Sequence, residues 1–209
     1  MIQEAALNNA AWCDVLCRAH GLPGAFTERA WTNPRRTPPY YPDAVTLSPE
    51  ATPADVLPRI DATPGASIKD SFATLTPPGF DLLFEATWIH RPGATPGAHS
   101  WKVVQDEEAL RAWERAWGEE PGLFPAALLA DPAVKIVTGP EGGCVLNETP
   151  GGRTAGISNL FGDDPWPAAV ATAAALFPGR DLVGYETDPA PAAAHGFTPI
   201  GPLRVWAKP

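Results

Sequence analysis

Residues 154–186 constrain the fold of this chain more than any other stretch, and they run TAGISNLFGDDPWPAAVATAAALFPGRDLVGYE. An apolar run leads into a Gly-Asp-Asp-Pro turn, an alanine-rich run follows, and a second apolar run closes the stretch. This order predicts a strand, a tight turn, a helix and another strand. Such a layout often binds a phosphate group at the helix N-terminus, where backbone N–H groups lack partners within the helix.

The turn FGDDPWP differs from a phosphate-binding turn in its charges. Gly162 is the residue that leaves room for a phosphate, whereas Asp163 or Asp164 is expected to cap the helix by accepting its free N–H groups. Pro165 has no backbone N–H to offer. The two carboxylates would stabilise the helix start and repel a pyrophosphate. The sequence therefore predicts either a coenzyme site without its phosphate contacts or a plain capped helix.

Apolar spacing elsewhere predicts a mixture of helices and strands. Helices are expected over residues 2–20 and 106–118, the second capped by Asp106. Residues 67–75 and 79–91 predict two strands joined by the turn TPPG. Shorter elements are expected as strands over 44–47, 133–139, 143–148 and 152–161, and as short helices over 52–60, 124–132 and 189–197.

Three further segments bear on the organisation of the chain. Residues 21–43 are expected to form an irregular loop, and residues 91–100, RPGATPGAHS, are the best linker candidate. The linker suggests an N-terminal half, 1–97, and a C-terminal half, 98–209. The closing run TPIGPLRVW predicts a strand that proline places at a sheet edge or at a bulge.

The composition narrows the range of partners. The formal net charge is −9 and only four residues are lysines, so no basic surface is expected for nucleic acid or for an anionic membrane. No stretch has the length of a membrane span or the pattern of a signal peptide. With three cysteines, a disulfide framework is not expected. We predict a cytoplasmic protein, and the abundance of Ala, Gly, Pro and Arg suggests a bacterial source.

Three potential metal ligands lie on the first helix. Cys13, Cys17 and His20 are spaced at i, i+4 and i+7, which places them on one helical face. A fourth ligand is missing, and cysteine is also a common core residue. The sequence therefore predicts no metal site.

The C-terminal half resembles the GNAT superfamily of acyl-CoA-dependent N-acyltransferases. The resemblance rests on GISNLF followed by a helix, on DLVGYE beyond that helix, and on AAAHGFTPIGPLRVW as the family's closing helix, Gly-Phe turn and hairpin. It implies an α/β or α+β fold with a mixed, mostly antiparallel sheet flanked by helices. The smaller N-terminal α/β half would be a degenerate copy of the same fold.

The resemblance also implies a cofactor and a set of site residues. Acetyl-CoA would place its thioester along Ile157, Ser158 and Asn159, with Gly162 near the pyrophosphate. The family's phosphate pattern of Gln or Arg, two residues, Gly, any residue, and Gly or Ala is absent from FGDDPWP. A tyrosine that often serves as general acid in the family is replaced here by Ala193.

Two glutamates are candidates for the general base. Glu148 and Glu186 each end a predicted strand, where a carboxylate beside a cleft can accept a proton if its pKa is raised. Carboxylates at strand ends are more often solvated charges without a catalytic role. Both interpretations stay open on the sequence alone.

The segment WTNPRRTPPYYPD, residues 31–43, is a second candidate site and is called the Arg-aromatic loop below. Arg35 and Arg36 stand out in an acidic chain, and an arginine pair can clamp a carboxylate or phosphate. Tyr40 and Tyr41 would supply flat walls, and Trp88 could face them from a strand. Alternatively, the aromatics cover the sheet and the arginines are solvated.

Two functions from different classes follow. The first is an acyl-CoA-dependent N-acetyltransferase that acts on a small amine. The second is a non-catalytic GNAT-fold module that binds a small metabolite or a protein through the Arg-aromatic loop.

Overall fold

The computed structural model describes residues 1–93, 101–118, 121–140, 142–149 and 151–209. Residues 94–100 of the expected linker lie outside these ranges. The proposed boundary between residues 97 and 98 falls within that gap and stays a prediction.

The described residues form five α-helices, eleven strands and two short 3₁₀ segments. The helices are α1 Ile2–Ala19, α2 Pro53–Val56, α3 Glu107–Trp117, α4 Trp166–Leu176 and α5 Ala190–Ala193, and the 3₁₀ segments are Leu57–Arg59 and Ala126–Ala130. The strands are β1 Ala25–Phe26, β2 Ala30–Thr32, β3 Ala44–Thr46, β4 Ser67–Asp70, β5 Asp81–Arg91, β6 Lys102–Val103, β7 Val134–Gly139, β8 Gly142–Glu148, β9 Thr154–Gly162, β10 Asp181–Glu186 and β11 Thr198–Ala207.

All eleven strands belong to one mixed sheet in the order β1-β2-β3-β4-β11-β5-β10-β9-β8-β7-β6. Two neighbouring pairs, β3 with β4 and β9 with β10, are parallel, and the remaining pairs are antiparallel. This arrangement confirms the predicted α/β fold with a mostly antiparallel sheet. Strand β5 from the first half of the chain lies between β10 and β11 from the second half, so the two halves share one sheet.

Helices cover both faces of the sheet. Residues of α1 and α3 share one apolar cluster, and residues of α4 and α5 share another. Alternate residues of β8 divide between the two, because Val145 packs with α1 and α3 while Cys144 and Leu146 pack with α4 and α5. The result is a three-layer structure whose central strands are buried on both sides.

The closing strand β11 corrects one prediction. It lies inside the sheet between β4 and β5, so the expected edge position is wrong. The alternative, a bulge, is confirmed, because the register with β5 shifts between Pro199 and Gly201. The two strands joined by the turn TPPG are β4 and β5, and β11 lies between them in the sheet. Long antiparallel pairing with β11, from Asp81 to His90, takes the edge of β5 that a hairpin would use.

Three short strands, β1, β2 and β6, are not predicted by the sequence patterns. The expected loop over residues 21–43 contains β1 and β2, and β6 was not foreseen. These strands have two or three residues each, which is too short to display a period-2 pattern.

A buried amide pair ties α1 to the sheet beside β9. Asn8 Nδ2 donates to the Asn147 carbonyl oxygen at 3.2 Å, and Asn147 Nδ2 donates to the Asn8 carbonyl oxygen at 3.2 Å. A Cβ on Gly156 would lie 2.0 Å from Asn8 Oδ1, so the pair requires glycine at that point of β9. The contact fixes the N-terminal part of α1 over the strand that borders the site described next.

Candidate functional site

Strands β9 and β10 separate at their carboxyl ends. Their parallel pairing runs from Thr154 opposite Asp181 to Gly156 opposite Val183 and then stops. Strand β9 continues to Gly162, and β10 continues to Glu186. The backbone of both strands is therefore released from mutual pairing beyond this point, and a gap opens between them.

A bulge in β9 lies beside this gap. Across the β8–β9 pair, Gly143 faces Phe161 while Val145 faces Ser158, so β9 carries one extra residue. Asn159 within the bulge has φ = 53°, a left-handed conformation that asparagine tolerates better than most residues. The bulge redirects the side chains of β9 where the two strands part.

A cavity of ≈ 300 Å³ lies at the gap and brings together six residues singled out from the sequence. They are Tyr40, Tyr41, Ile157, Ser158, Asn159 and Glu186. Among the other lining residues, Asn9, Trp12, Cys13, Lys69, Trp117 and Tyr185 were not expected at this site. These come from α1, α3, β4 and β10, so only tertiary packing places them beside β9.

Glu186 is the one acidic residue that lines this cavity within the described part of the chain. Burial and, to a lesser extent, the nearby negative charge of Asp188 together raise its pKa to about 7. The described residues offer its carboxylate no hydrogen bond and no ion pair. Near neutral pH this side chain can therefore exchange a proton with a bound ligand.

The Tyr41 hydroxyl meets the β9 bulge from the Arg-aromatic loop. It donates a hydrogen bond to Asn159 Oδ1 at 3.3 Å, and its ring packs edge-on against Trp12 with centroids 6.0 Å apart. Burial raises the pKa of Tyr41 well above its usual value, so the phenol stays protonated and acts as a donor. The contact orients the Asn159 amide within the cavity wall.

Lys69 on β4 is the cation that lines the cavity. Its side chain is 4% exposed, and its Nζ donates to Asn9 Oδ1 at 2.9 Å. The ammonium also lies 4.1 Å from the ring centroid of Tyr185, which gives a cation–π contact. No feature of its sequence neighbourhood, SIKDSF, marks this lysine as a site residue.

The two arginines of the Arg-aromatic loop are engaged in structural contacts. Arg36 borders an adjoining cavity of ≈ 680 Å³, together with Tyr40 and Tyr41. Its guanidinium donates to Asp43 at 2.7 Å and to the carbonyl oxygens of Asp61 and Thr63, which ties the loop together. Arg35 is exposed and donates to the Gly21 carbonyl. A ligand-binding role for the pair stays a prediction.

Trp88, Glu148 and Gly162 lie outside the ≈ 300 Å³ cavity. Trp88 is buried behind it, donates to the Ser71 carbonyl at 2.8 Å, and packs edge-on against Tyr185. Glu148 lies opposite Ala155 at the other end of β9 and bonds Arg180 at 3.2 Å. Gly162 is exposed at the end of β9. The roles expected for these three residues stay predictions.

The start of α4 differs from the expected capped helix. Pro165 is the N-cap residue, and no side chain caps this end, so capping by Asp163 or Asp164 is wrong. The physical reason is that Pro165 occupies the N-cap position, so both aspartates precede it, and Pro167 removes one of the two N–H groups that a cap could bond. Asp164 instead has φ = 43° and lies 3.2 Å from His195 Nε2. Both carboxylates are exposed at the helix start.

The three potential metal ligands of α1 do not converge. His20 Nε2 is 2.9 Å from the Leu123 carbonyl oxygen, and burial raises the pKa of Cys13 to about 11 and of Cys17 to about 12. Thiols with such pKa values resist the deprotonation that metal binding requires. The described ranges hold no group of three or more potential ligands, and the absence of a metal stays a prediction. In the same ranges, every helix is too short or too polar to span a bilayer.

Comparisons with known proteins identify the fold. No protein-family model and no curated protein matches the sequence. A solved structure of a protein described as a GNAT-family acetyltransferase, from Novosphingobium aromaticivorans, is similar with a TM-score of 0.58 and 11% identity. The alignment covers 98% of this chain and 99% of that protein. The chain therefore has the GNAT fold over its full length, which confirms the resemblance.

Two other solved structures are more distant. A GCN5-related N-acetyltransferase from Sphaerobacter thermophilus has a TM-score of 0.44 and 12% identity, and the alignment covers 72% of this chain and 62% of that one. A conserved protein of unknown function from Staphylococcus epidermidis has a TM-score of 0.46 and 7% identity, with 70% and 73% covered. The expected origin of residues 1–97 as a degenerate repeat stays a prediction.

Proposed function

We propose that this protein is an acetyltransferase-like enzyme that transfers the acyl group of acetyl-CoA to a small amine in the cavity beside β9 and β10. The observation that carries the proposal is Glu186, a half-buried carboxylate with a pKa of about 7 at the end of β10. A general base is most effective when its pKa lies near the working pH. The GNAT fold of the chain supports the same activity.

The acyl end of the donor fits the unpaired part of β9. Beyond Gly156 the strand no longer pairs with β10, so backbone donors and acceptors on that edge are available to a ligand. Ile157, Ser158 and Asn159 border the cavity there and would hold the thioester arm. Acetyl-CoA supplies, when bound, an activated carbonyl carbon for attack by the amine.

Two residues of the cavity wall have separate roles in the transfer, Glu186 as the proton acceptor and Asn159 as a donor to the carbonyl oxygen. Glu186 takes a proton from the amine nitrogen while the new carbon–nitrogen bond forms and the carbon–sulfur bond breaks. Tyr41 donates to Asn159 Oδ1, which leaves the Nδ2 donors of Asn159 available to the carbonyl oxygen as negative charge develops there. The Asn159 amide stabilises this charge but transfers no proton, so CoA would leave as a thiolate and take its proton from solvent, in the absence of an acid at Ala193.

The pyrophosphate end of the donor fits less well. Exposed Asp163 and Asp164 lie at the start of α4, and Pro165 and Pro167 lack N–H groups. The same observations favour a second candidate function, a non-catalytic module that binds a metabolite in the cavity. The two functions share the cavity and differ in whether acetyl-CoA is consumed.

Mass spectrometry of an amine mixture distinguishes the two functions. The protein is incubated with acetyl-CoA and a panel of small amines, and acetylated products are compared with those of a boiled sample. We expect at least one amine to be acetylated in a protein-dependent manner, because Glu186 can accept its proton near neutral pH. If amines stabilise the protein against heat but none is acetylated, the binding-module function is correct instead.

A further inference from the structure

Lys69 has no acidic partner although it is almost fully buried. Among the described residues, the only hydrogen bond of its Nζ is to the neutral amide oxygen of Asn9 at 2.9 Å, and no carboxylate lies within 4.0 Å of this nitrogen. Buried lysines are rare unless they are paired, because removing an ammonium from water is costly. A ligand that enters from outside can supply the missing negative charge, and Lys69 borders the cavity from which such a ligand would reach it.

The cavity wall carries one charge of each sign within the described residues. Lys69 is its cation and Glu186 is its acid, while the remaining lining residues are neutral. The ion pairs of the molecule do not join these two groups to each other. A ligand that carries an amine and an anionic group would meet a complementary charge at each of its ends.

The cavity wall also limits the size and the polarity of the part of the ligand that lies between its two charged groups. Trp12, Tyr41 and Tyr185 contribute aromatic surface to a space of ≈ 300 Å³. Aromatic walls favour an apolar body, whereas the two charges determine its orientation. A small amino acid or another amine with a carboxylate satisfies both conditions.

We propose that the acceptor of this protein is a small amine that carries a carboxylate, and that the Lys69 ammonium binds this carboxylate while Glu186 receives the amine. This inference rests on the proposed acetyl transfer, because only that reaction makes the bound amine an acceptor. Binding of a carboxylate by Lys69 does not depend on the reaction. Lys69 acts as a specificity-determining residue, and its charge selects amino acids over amines of the same shape without the carboxylate.

Matched pairs of probes test this specificity. The common α-amino acids and the amines that result from removal of their carboxylate, such as L-phenylalanine and phenethylamine, are compared for binding by calorimetry and for acetylation by mass spectrometry. A hydrogen bond to a charged group is expected to favour at least one amino acid over its amine by about tenfold or more in Kd. The Lys69→Met variant should lose this preference.

Two further variants keep the result interpretable. Lys69→Gln retains a donor toward Asn9 without the charge, so it should also lose the preference while it preserves the fold. Lys208→Met removes the same charge from a lysine 5.5 Å from the Phe80 ring, outside the cavity lining, and should keep the preference. Circular dichroism confirms that each variant is folded.

The outcomes separate this inference from the proposed function. Amino-acid binding that depends on Lys69 without any acetylation supports the anion site and overturns the enzyme. Acetylation of amines with no advantage for the carboxylate supports the enzyme and overturns the inference. Equal binding of both members of every pair, or a preference that survives Lys69→Gln, also overturns the inference.

Discussion

Replacement of Glu186 by Gln is expected to lower kcat for acetyl transfer by about 10²–10⁴-fold, which is the usual loss when a general base is removed. Glutamine keeps the size of the side chain and cannot accept the amine proton. Because Glu186 has no partner among the described residues, the substitution breaks no hydrogen bond and should leave the fold intact. The measurement is the initial rate of thiol release from acetyl-CoA in the presence of a free amine that the protein acetylates.

Glu148→Gln is the matched control. This second glutamate also ends a strand, but it bonds Arg180 at 3.2 Å and lies outside the cavity. We expect its replacement to change kcat less than about threefold, because a half-exposed ion pair contributes little. A large loss of kcat with Glu148→Gln and none with Glu186→Gln would identify Glu148, at the other end of β9, as the base. That result would contradict the proposed site.

Removal of two charges at the start of α4 is expected to strengthen acetyl-CoA binding. Each carboxylate repels a unit charge about 4 Å away by about 1 kcal/mol in water, so the pair Asp163→Asn and Asp164→Asn should lower Kd by about tenfold to a hundredfold. The native protein should then bind acetyl-CoA with a Kd weaker than about 1 μM. Neither side chain caps α4, so this gain should come without loss of a helix cap.

Calorimetry at low and high salt checks this second prediction. The gain should shrink in high salt, because the two carboxylates are exposed and their charges are screened. Glu28→Gln with Glu50→Gln removes two charges from the far edge of the sheet and should leave Kd almost unchanged. Tight binding by the native protein would mean that the pyrophosphate lies away from Asp163 and Asp164.

Local features of the fold could be predicted because their causes lie within a few residues. Asp106 accepts from the Ala109 N–H at 2.8 Å, and Gly118 ends the same helix with φ = 93°. Thr52 is likewise the N-cap residue of α2, and Pro53 is its first residue. Each of these signals depends on a spacing that the sequence displays directly.

The order of strands could not be predicted in the same way. Strand β11 enters between β4 and β5, and this insertion depends on pairing between residues more than a hundred positions apart, such as Arg204 opposite Glu85. The turn TPPG between β4 and β5 is compatible both with direct pairing of these strands and with β11 between them. Only the competition between complete pairings decides it.

Some residues of the candidate site could be predicted from the sequence, whereas others are placed there only by tertiary packing. Its β9 residues, Ile157–Asn159, follow from the resemblance to a known fold, whereas Lys69 and Trp12 reach the cavity from distant elements. The two glutamates could not be separated by sequence, because both end a strand. Burial separates them, since it raises the pKa of Glu186 to about 7. The aspartates do not cap α4 because Pro165 takes the N-cap position, which the sequence alone did not identify.

The pH dependence of kcat/KM for acetyl transfer tests the account most directly. Glu186 must be ionised to take the amine proton, so the rate should be low in acid and rise with a midpoint near the pKa of about 7. The midpoint should stay fixed when acceptors of different amine pKa are compared. The rise of kcat/KM with pH near 7 should be absent in the Glu186→Gln variant. A midpoint that follows the pKa of the acceptor, or a profile that Glu186→Gln leaves unchanged, would contradict the assignment of Glu186 as the base.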